Sequence, residues 1–599
     1  MYREIKRQWK KIELNELKML SQEVESEKDI LDFGRNNVEG NDLISINKND
    51  STDDKDFNST ARNSIENDHE VHDIFIINEN EINDGRMREI SLKEKVNVLV
   101  VKQKGSYYIL AANCANCNSS LKNGILSKNR IRCFLYGTCY DVRTGYIEDY
   151  PGIYSQNIFA HFIKDGKLYV RASYEMLAIN RKDKPMVKSI NITFESPIII
   201  VGSGISALTC AEVLRQNGFK DPILMLTKDT ILPYYKFLLP MNPNVEDDNI
   251  LIRNDDFFKT YHIDIRLNTK VLKVDVNEKI VYCNDNRSFN YTNLIVATGT
   301  VLKPIVIPGS NLQNVIYFKN NWDSKTIYEK SLKKHVTISN CTPDIITLAS
   351  SLRKEAKSVT IYNKHEMLLK ECGYKFNEEL IKYLMNVCKV NVKVNESIRI
   401  IEGEEKVGHL VLSNGFCAVS HLVIPFNGET ACSSFLLGSK VATSKDNYIL
   451  VDDTMRTNIP NVYAIGDCAI LKNMTGSNAT IRNSWQLSQL EGKICAMNIL
   501  NKNINIKDEA QLVWFYVGDK IVIHVSKFYD KEDEIITRGS FHSNDFISYY
   551  ILNDYVVGVL CFGNTTPAIQ LKECFKQHIN ITKGEVEVMT SNNWSYKLI

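Results

Sequence analysis

Four cysteines lie close together, in two pairs, in the stretch NCANCNSSLKNGILSKNRIRCFLYGTCYD. Two residues separate Cys114 from Cys117, whereas five residues separate Cys133 from Cys139. Paired thiols are typical of metal sites, but the second interval is longer than the two-residue interval common in zinc sites. The elements around the cysteines are short β-rich runs, VNVLVV, SYYIL, IRCFL and KLYVRAS, separated by turn residues. This pattern predicts a small all-β domain over residues 90–178.

A second chemical signature is the glycine-rich turn in PIIIVGSGISALTCAEVLRQNGF. An apolar strand leads into Gly202 and Gly204, and Ala207 follows in the next helix. In this strand–turn–helix context the pattern is typical of dinucleotide binding, because the glycines permit a tight turn and a close approach of the pyrophosphate. Ala207 lets helix and strand pack closely, and the helix N-terminus offers amide donors to phosphate. The next strand has no acid directly at its end to hold a ribose, and Asp229 could do so only with a shifted backbone.

Two later segments extend the dinucleotide signal. NLIVATGT places Thr298 and Gly299 after a buried strand, and NIPNVYAIGDC places Gly466 and Asp467 after another. Both resemble the flavin-binding segments of two-dinucleotide-domain flavoprotein reductases, in which the late aspartate holds the ribityl chain of FAD. An ordinary strand and turn would explain either segment alone. In this order, the signals predict an FAD-binding domain interrupted by a second α/β unit.

The interrupting unit begins with the strand HVTI but lacks a glycine loop after it. The three glycine positions carry Asn340, Thr342 and Ile345, whose side chains block the close approach of a pyrophosphate. Thr342, followed by Pro343 and Asp344, instead predicts a capped helix start with a carboxylate at its positive end. Binding of NAD(P)H at this loop is therefore not expected.

Net charge and hydropathy argue against several classes of protein. The net charge of +1 gives no global attraction to nucleic acid or to an anionic membrane. No apolar run approaches the roughly 20 residues of a membrane span, and we find no secretory signal. The 15 cysteines are therefore interpreted mostly as reduced core thiols. The cytoplasm is the predicted compartment, with the mitochondrion as the alternative.

Composition and pattern divide the 599 residues into six segments. These are a disordered polar tail with a short basic helix (1–89), the β domain (90–178), the first part of the FAD-binding domain (195–330), an NAD-binding-like domain with a degenerate loop (331–444), the second part of the FAD-binding domain (445–505) and a C-terminal interface domain (506–599).

The order of these motifs resembles the apoptosis-inducing-factor-like flavoproteins that carry an N-terminal Rieske domain. The resemblance covers residue 90 to the C-terminus and rests on the second cysteine pair and on EDYPG, GSGISA, CAEVLRQNGF, ILPYYKFLLP, IPGSNLQNV, AIGDC and Trp485-Gln486. It implies an α/β two-dinucleotide-binding-domain flavoprotein reductase fold, preceded by an all-β Rieske-like domain and followed by an α+β interface domain. It also implies FAD as a cofactor and adds Lys236 and Trp485 to the expected flavin-site residues.

The family's Rieske domain holds a [2Fe–2S] cluster through two cysteines and two histidines. Cys114 and Cys133 stand at the cysteine positions, but Asn116 and Tyr136 stand at the histidine positions, and neither replaces a neutral imidazole on iron. We therefore expect no [2Fe–2S] cluster, with Cys114 and Cys133 as remnant ligand positions that carry free thiols. Two alternatives stay open: Cys117 serves as a third thiolate, or zinc binds three or four of the cysteines. The last cysteine of the stretch is expected in the β core.

A further departure concerns a lysine–glutamate pair that the family sets beside the flavin. Phe237, Leu238 and Met241 lie in the stretch that should carry the lysine, and Thr347 stands at the glutamate position. The sequence thus predicts an FAD-binding oxidoreductase-family protein whose NAD(P)H site and Rieske histidines are lost and whose turnover is in question. The alternative is a pseudoenzyme, a scaffold or partner-binding protein with structural FAD or none. An unidentified electron acceptor or protein partner is expected, nucleic acid is not, and a homodimer is left open.

Overall fold

The computed structural model describes residues 71–191, 196–472, 484–506, 509–527 and 532–598. The predicted basic helix and most of the predicted disordered tail lie outside these residues. The prediction is wrong for residues 71–89, because the strand His72–Asn78 and the start of the strand Arg86–Ser91 fall there. The β domain therefore includes residues from position 72 onward, and not from position 90.

The β domain consists of small sheets that present the cysteine loops. One sheet has the antiparallel order Ile158–Phe159, Ser106–Ala111, Asn97–Gln103 and Arg86–Ser91. A second consists of His72–Asn78, Lys167–Ala172 and His161–Lys164. The third is an antiparallel series of Ile125–Ser127, Arg130–Arg132, Cys139–Asp141 and Ile147–Asp149. Two-residue strands, Ser155–Gln156 and Arg181–Lys182, form a further pair.

The first α/β domain contains a five-stranded parallel sheet in which every strand except the edge strand Ile263–Arg266 is buried on both faces. Its order is Ile263–Arg266, Ile223–Leu226, Ile198–Val201, Leu294–Val296 and Val462–Ala464. Val201 is in register with Leu226 and Val296, so the turns that follow these strands meet at one edge of the sheet. The carboxyl edge of a parallel sheet is where ligands bind in such folds.

Two helices, Ile205–Gln216 and Trp485–Ile499, pack together in this domain. Gly492 makes their close contact possible, because a Cβ atom there would lie 2.4 Å from the Ser206 carbonyl oxygen. The smaller elements of the domain are Asp255–Thr260, Val271–Asp275, Ile280–Cys283, Ser288–Asn290, Thr300–Leu302, Glu429–Ala431, Ile449–Val451 and Ala469–Leu471.

The second α/β domain interrupts the first. Its parallel sheet has the order Asn391–Val394, Ser358–Asn363, His335–Ser339 and Leu422–Pro425. Its helices are Asn321–Ser331, Pro343–Leu352 and Tyr374–Asn386. Three antiparallel strands complete it, namely Ile398–Glu402, His409–Leu412 and Cys417–Val419.

The C-terminal domain is an antiparallel sheet covered by helices. The strand order is Gln511–Val517, Lys520–Ser526, Tyr555–Phe562, Ile547–Leu552 and Glu534–Arg538. The helices are Thr566–Lys576 and Lys583–Val588. Among the residues that the structure describes, no helix is both long and apolar enough to cross a membrane.

A buried ion network joins the β domain to the C-terminal domain. The Arg132 guanidinium is fully buried and donates from Nε to Glu573 Oε2 at 2.7 Å and from Nη2 to Asp149 Oδ2 at 2.6 Å. Arg130 Nε lies 3.1 Å from Glu573 Oε1. The positive charges of the two arginines balance the negative charges of Asp149 and Glu573. Buried charges are tolerated when they are paired in this way.

Candidate cofactor cavity and thiol cluster

A cavity of about 1990 Å³ opens at the carboxyl edges of both parallel sheets. Its walls include most of the residues that the sequence predicts for FAD: Gly202, Gly204, Lys236, Thr298, Gly299, Asp467 and Trp485. The degenerate second loop, with Asn340, Thr342 and Asp344, lines the same cavity. Ala207 lies behind the loop, fully buried. The structure thus gathers the predicted cofactor residues of both domains around one space.

The first glycine loop has the shape that a pyrophosphate requires. Gly202 has φ of +119°, and a Cβ atom there would lie 2.2 Å from the Ala297 carbonyl oxygen. At Gly204 a Cβ atom would meet nothing within 4 Å, so the backbone faces open space. Gly204 is also the N-cap of the helix Ile205–Gln216 and has no side chain to bond the first amides. Those N–H groups remain available to an anion.

Asp229 lies nearer to this loop than its position in the sequence suggests. The strand Ile223–Leu226 ends early, and the Asp229 N–H donates to Thr227 Oγ1 at 3.1 Å. Ser203 Oγ lies 3.4 Å from Asp229 Oδ2, and the aspartate lines the cavity. Asp229 is therefore close to the first glycine loop, and its role towards a ribose stays a prediction.

The late motif adds a buried acid pair. Asp467 follows Gly466, which has φ of +70°, and burial raises the pKa of the aspartate. The Gly466 N–H donates to Glu491 Oε2 at 2.6 Å, and burial raises the pKa of Glu491 to about 8. In the turn after the neighbouring strand, Thr298 Oγ1 donates to the Cys432 carbonyl oxygen at 2.7 Å. The sequence alone does not reveal Glu491, because an acid in a helix is typical of a solvated position.

A second charged group that the sequence does not reveal is the pair Lys319–Glu429. Lys319 Nζ lies 2.7 Å from Glu429 Oε1 and donates to Thr300 Oγ1 at 2.6 Å. Both residues line the cavity and lie far apart in the chain, so no local motif indicates them. The family's lysine–glutamate pair is absent at its usual positions, yet a different pair of the same types stands in this cavity.

The second loop caps the N-terminus of the helix that follows it. Thr342 Oγ1 accepts the Ile345 N–H, Pro343 begins the helix Pro343–Leu352, and Asp344 follows in the first turn, as the sequence predicts. Asn340 has φ of +61°, and its side chain donates to the Phe426 carbonyl oxygen at 2.9 Å. Asp344 is open to the cavity but enclosed by protein, and this burial raises its pKa to about 6.

Aromatic side chains form a wall between the cavity and the cysteine loops. The Trp485 ring stacks on Tyr235 at 5.7 Å between centroids and meets the Phe237 ring edge-on at 5.1 Å. Phe237 lies 5.8 Å from Trp514, and Trp514 lies 5.3 Å from Tyr136. Lys236, which lies between Tyr235 and Phe237 in the sequence, faces the cavity, and burial lowers its pKa.

Three of the four cysteines converge behind this wall. The sulfur atoms of Cys114, Cys117 and Cys133 lie within 4.8 Å of one another, and we call them the thiol cluster. Cys117 and Cys133 are 3.5 Å apart at their sulfurs. Cys139 lies elsewhere, buried beside Asp149 and Glu573 in the ion network, so it is not part of the cluster.

The residues at the two Rieske histidine positions do not fit iron ligation. Asn116 donates to Tyr140 Oη and to the Tyr154 carbonyl oxygen, each at 2.8 Å, and accepts the Ile153 N–H at 2.7 Å. Tyr136 is engaged with Tyr516, at 2.5 Å between the two hydroxyl oxygens, and burial raises its phenol pKa. Both side chains bind protein partners and offer no imidazole nitrogen, so the donor set of these two loops does not match a Rieske iron–sulfur cluster.

Comparison with known proteins identifies two regions. Residues 196–492 match the pyridine nucleotide-disulphide oxidoreductase model, and residues 72–160 match the Rieske [2Fe-2S] domain model. Human apoptosis-inducing factor 3 is 27% identical over 515 residues, which cover 85% of this chain and 84% of that protein. Rubredoxin-NAD(+) reductase of Pseudomonas putida is 28% identical over 282 residues, covering 46% and 73%.

Solved structures agree on the fold. A ferredoxin reductase from Rhodopseudomonas palustris superimposes with a TM-score of 0.62 at 19% identity, covering 67% of this chain and all of that one. The predicted fold class, an all-β Rieske-like domain before a two-dinucleotide-binding-domain reductase fold, is confirmed. The relatives' names include NAD(+) and the Rieske model includes [2Fe-2S], so these comparisons lend no support to the loss of either cofactor in this chain.

Proposed function

Because the chain belongs to the pyridine nucleotide-disulphide oxidoreductases and carries a Rieske domain, we propose that it is an FAD-binding redox protein that does not take its electrons from NAD(P)H. The observation that carries the proposal is the contrast between two helix N-termini that line one cavity. Gly204 leaves the first terminus open to an anion, whereas the second terminus carries the acidic residue Asp344 in its first turn.

The first terminus fits FAD. The amides after Gly204 would receive the pyrophosphate, and Asp467 would bind hydroxyl groups of the ribityl chain. Glu491 fixes the turn of the late motif through the Gly466 N–H, and Trp485 forms part of the cavity wall that would receive the ring system. When bound, FAD supplies exchange of one or two electrons, and the protein supplies its position and electrostatic surroundings.

The second terminus, that of the helix Pro343–Leu352, is unfavourable for binding a diphosphate. Above its pKa of about 6, Asp344 is ionised, so at pH 7–8 its charge repels the phosphates that a nicotinamide cofactor would place there. Thr342 Oγ1 already accepts the Ile345 N–H of the first turn, and the Asn340 side chain is bound across the strand ends. The chemistry of a dinucleotide site is therefore missing at this loop.

An anaerobic NADH titration of the purified flavoprotein at pH 8 tests the proposal. We expect a flavin absorption band that stoichiometric NADH does not bleach, whereas dithionite does. A variant with glycine at positions 340, 342 and 345 and with Asp344→Leu should gain NADH-dependent bleaching. Rapid bleaching of the wild type would show that the second loop still accepts the cofactor, and a protein without flavin would overturn the FAD assignment.

The names of two similar proteins indicate a class of electron partner. The Pseudomonas putida relative is named for rubredoxin, and one similar structure is a covalent putidaredoxin reductase–putidaredoxin complex. We take a small redox protein as the candidate partner of this chain. Reduction of the bound flavin by such a carrier would support electron transfer. A flavin that reduced carriers leave oxidised would favour the alternative, a scaffold that retains FAD for structure.

A further inference from the structure

The two loops that carry the thiol cluster have the same pattern of backbone hydrogen bonds. In the first, the Cys114 N–H donates to the Ser119 carbonyl and the Asn118 N–H donates to the Cys114 carbonyl, at 2.8 and 2.9 Å. In the second, the Cys133 N–H donates to the Thr138 carbonyl and the Gly137 N–H donates to the Cys133 carbonyl, at 2.8 and 3.0 Å. Each loop is thus a tight turn that holds its cysteine in a fixed orientation.

The Ser119 hydroxyl oxygen lies against the thiol cluster. Ser119 Oγ lies 3.1 Å from Cys117 Sγ and 3.2 Å from Cys133 Sγ. Cys114 and Cys133 are almost completely buried, whereas Cys117 is partly accessible. Three sulfurs and one hydroxyl therefore lie together at the meeting point of the two loops, and solvent reaches the group in part at Cys117.

These separations suit a tetrahedral zinc ion. With Zn–S bonds of about 2.3 Å and a Zn–O bond of about 2.1 Å, tetrahedral geometry places sulfurs about 3.8 Å apart and sulfur and oxygen about 3.6 Å apart. The observed Cys117–Cys133 distance of 3.5 Å and the Ser119 distances need only a small expansion to admit the ion. Three thiolates are a soft ligand set, which favours zinc over hard cations.

We propose that the thiol cluster, completed by the Ser119 hydroxyl, binds one Zn²⁺ ion where a Rieske domain would hold iron and sulfide. The ion would join the two loops, one bearing Cys114 and Cys117 and the other bearing Cys133. Cys139 takes no part, because its neighbours Asp149 and Glu573 are already compensated by Arg130 and Arg132. The proposal is independent of FAD and of the electron donor.

Metal analysis of the full-length protein, purified with a phosphine reductant, tests the site. We expect about one zinc per chain, and we expect cobalt(II) substitution to give the thiolate-to-metal and d–d absorption of a tetrahedral thiolate-rich site. Cys117→Ser should lose the metal, and Ser119→Ala should weaken zinc about tenfold or more in competition with a chromogenic chelator. Cys417→Ser, which changes an exposed thiol in another domain, is the matched control and should keep the zinc.

Folding of each variant is followed by circular dichroism, and the cobalt spectrum of the wild type tests the site without any substitution. About two iron atoms per chain with a Rieske-type EPR signal on reduction would overturn the proposal. So would zinc retained in folded Cys117→Ser, or a wild type that takes up neither zinc nor cobalt. A Cys117–Cys133 disulfide in protein prepared anaerobically would overturn it as well.

Discussion

The buried Glu491 carboxyl should make the stability of the flavin domain depend on pH. Its pKa rises from 4.5 to about 8 because burial penalises the ionised form, while the Gly466 N–H partly opposes this shift and Asp467 adds to it. An acid whose pKa is raised on folding contributes stability below its unfolded pKa and loses that contribution as the pH rises towards its folded pKa. The relevant window is therefore pH 4.5 to about 8.

Glu491→Gln removes the titration and keeps an oxygen that can accept the Gly466 N–H. At about 1.4 kcal/mol per pH unit, the advantage of the variant over the wild type in free energy of unfolding should grow by about 3 kcal/mol between pH 5 and pH 7. Other titrating groups occur in both proteins, so they cancel in the difference. Urea unfolding at both pH values, followed by flavin fluorescence, measures it.

Glu329→Gln changes an exposed glutamate of the helix Asn321–Ser331 and serves as the control. Its difference from the wild type, measured at the same two pH values, is the baseline against which the change for Glu491→Gln is compared. If the curves of Glu491→Gln and the wild type run parallel, Glu491 is ionised in the folded protein and the reasoning is refuted.

Three further changes test other parts of the structure. Gly204→Asp should abolish flavin retention without loss of fold, measured by absorbance and circular dichroism, because the new carboxylate enters open space beside the phosphate position; a normal flavin content would contradict this. Gly492→Leu should lower the free energy of unfolding by about 3 kcal/mol, since its Cβ would contact the Ser206 carbonyl, and an unchanged urea midpoint would disprove the contact. Glu573→Gln should cost about 3–5 kcal/mol by leaving Arg132 undercompensated, and a thermal midpoint equal to that of wild type would show that the network contributes nothing.

The cofactor residues that can be predicted are those with a local signature. Gly202 and Gly204 are predictable because a strand, a turn and a helix follow one another without interruption, and burial agrees with the pattern at each step. Thr342, Pro343 and Asp344 are predictable as a helix start for the same reason, since capping depends on neighbours within one turn.

The residues that cannot be predicted owe their role to distant parts of the chain. Lys319 and Glu429 are 110 residues apart in the sequence, and only the tertiary fold brings them into contact. Asn116 acquires its partners from the loop at Ile153 and Tyr154, which no spacing rule indicates. The strand His72–Asn78 escapes prediction because a long polar segment precedes it, and composition averaged over that segment hides a short apolar run.

The buried ion network has a consequence for how the polypeptide can be divided. Arg132 belongs to the β domain and Glu573 to the C-terminal domain, so separating the two domains would expose both side chains to water and remove the ion pair between them. Gln489, in the helix Trp485–Ile499, joins the β domain to the first α/β domain as well, with its side-chain amide bound to both backbone groups of Gly152. The β domain supplies its own carboxylate, Asp149, to both arginines, but it needs Glu573 to complete their ion pairs, so cutting the chain between the domains removes polar contacts from each piece.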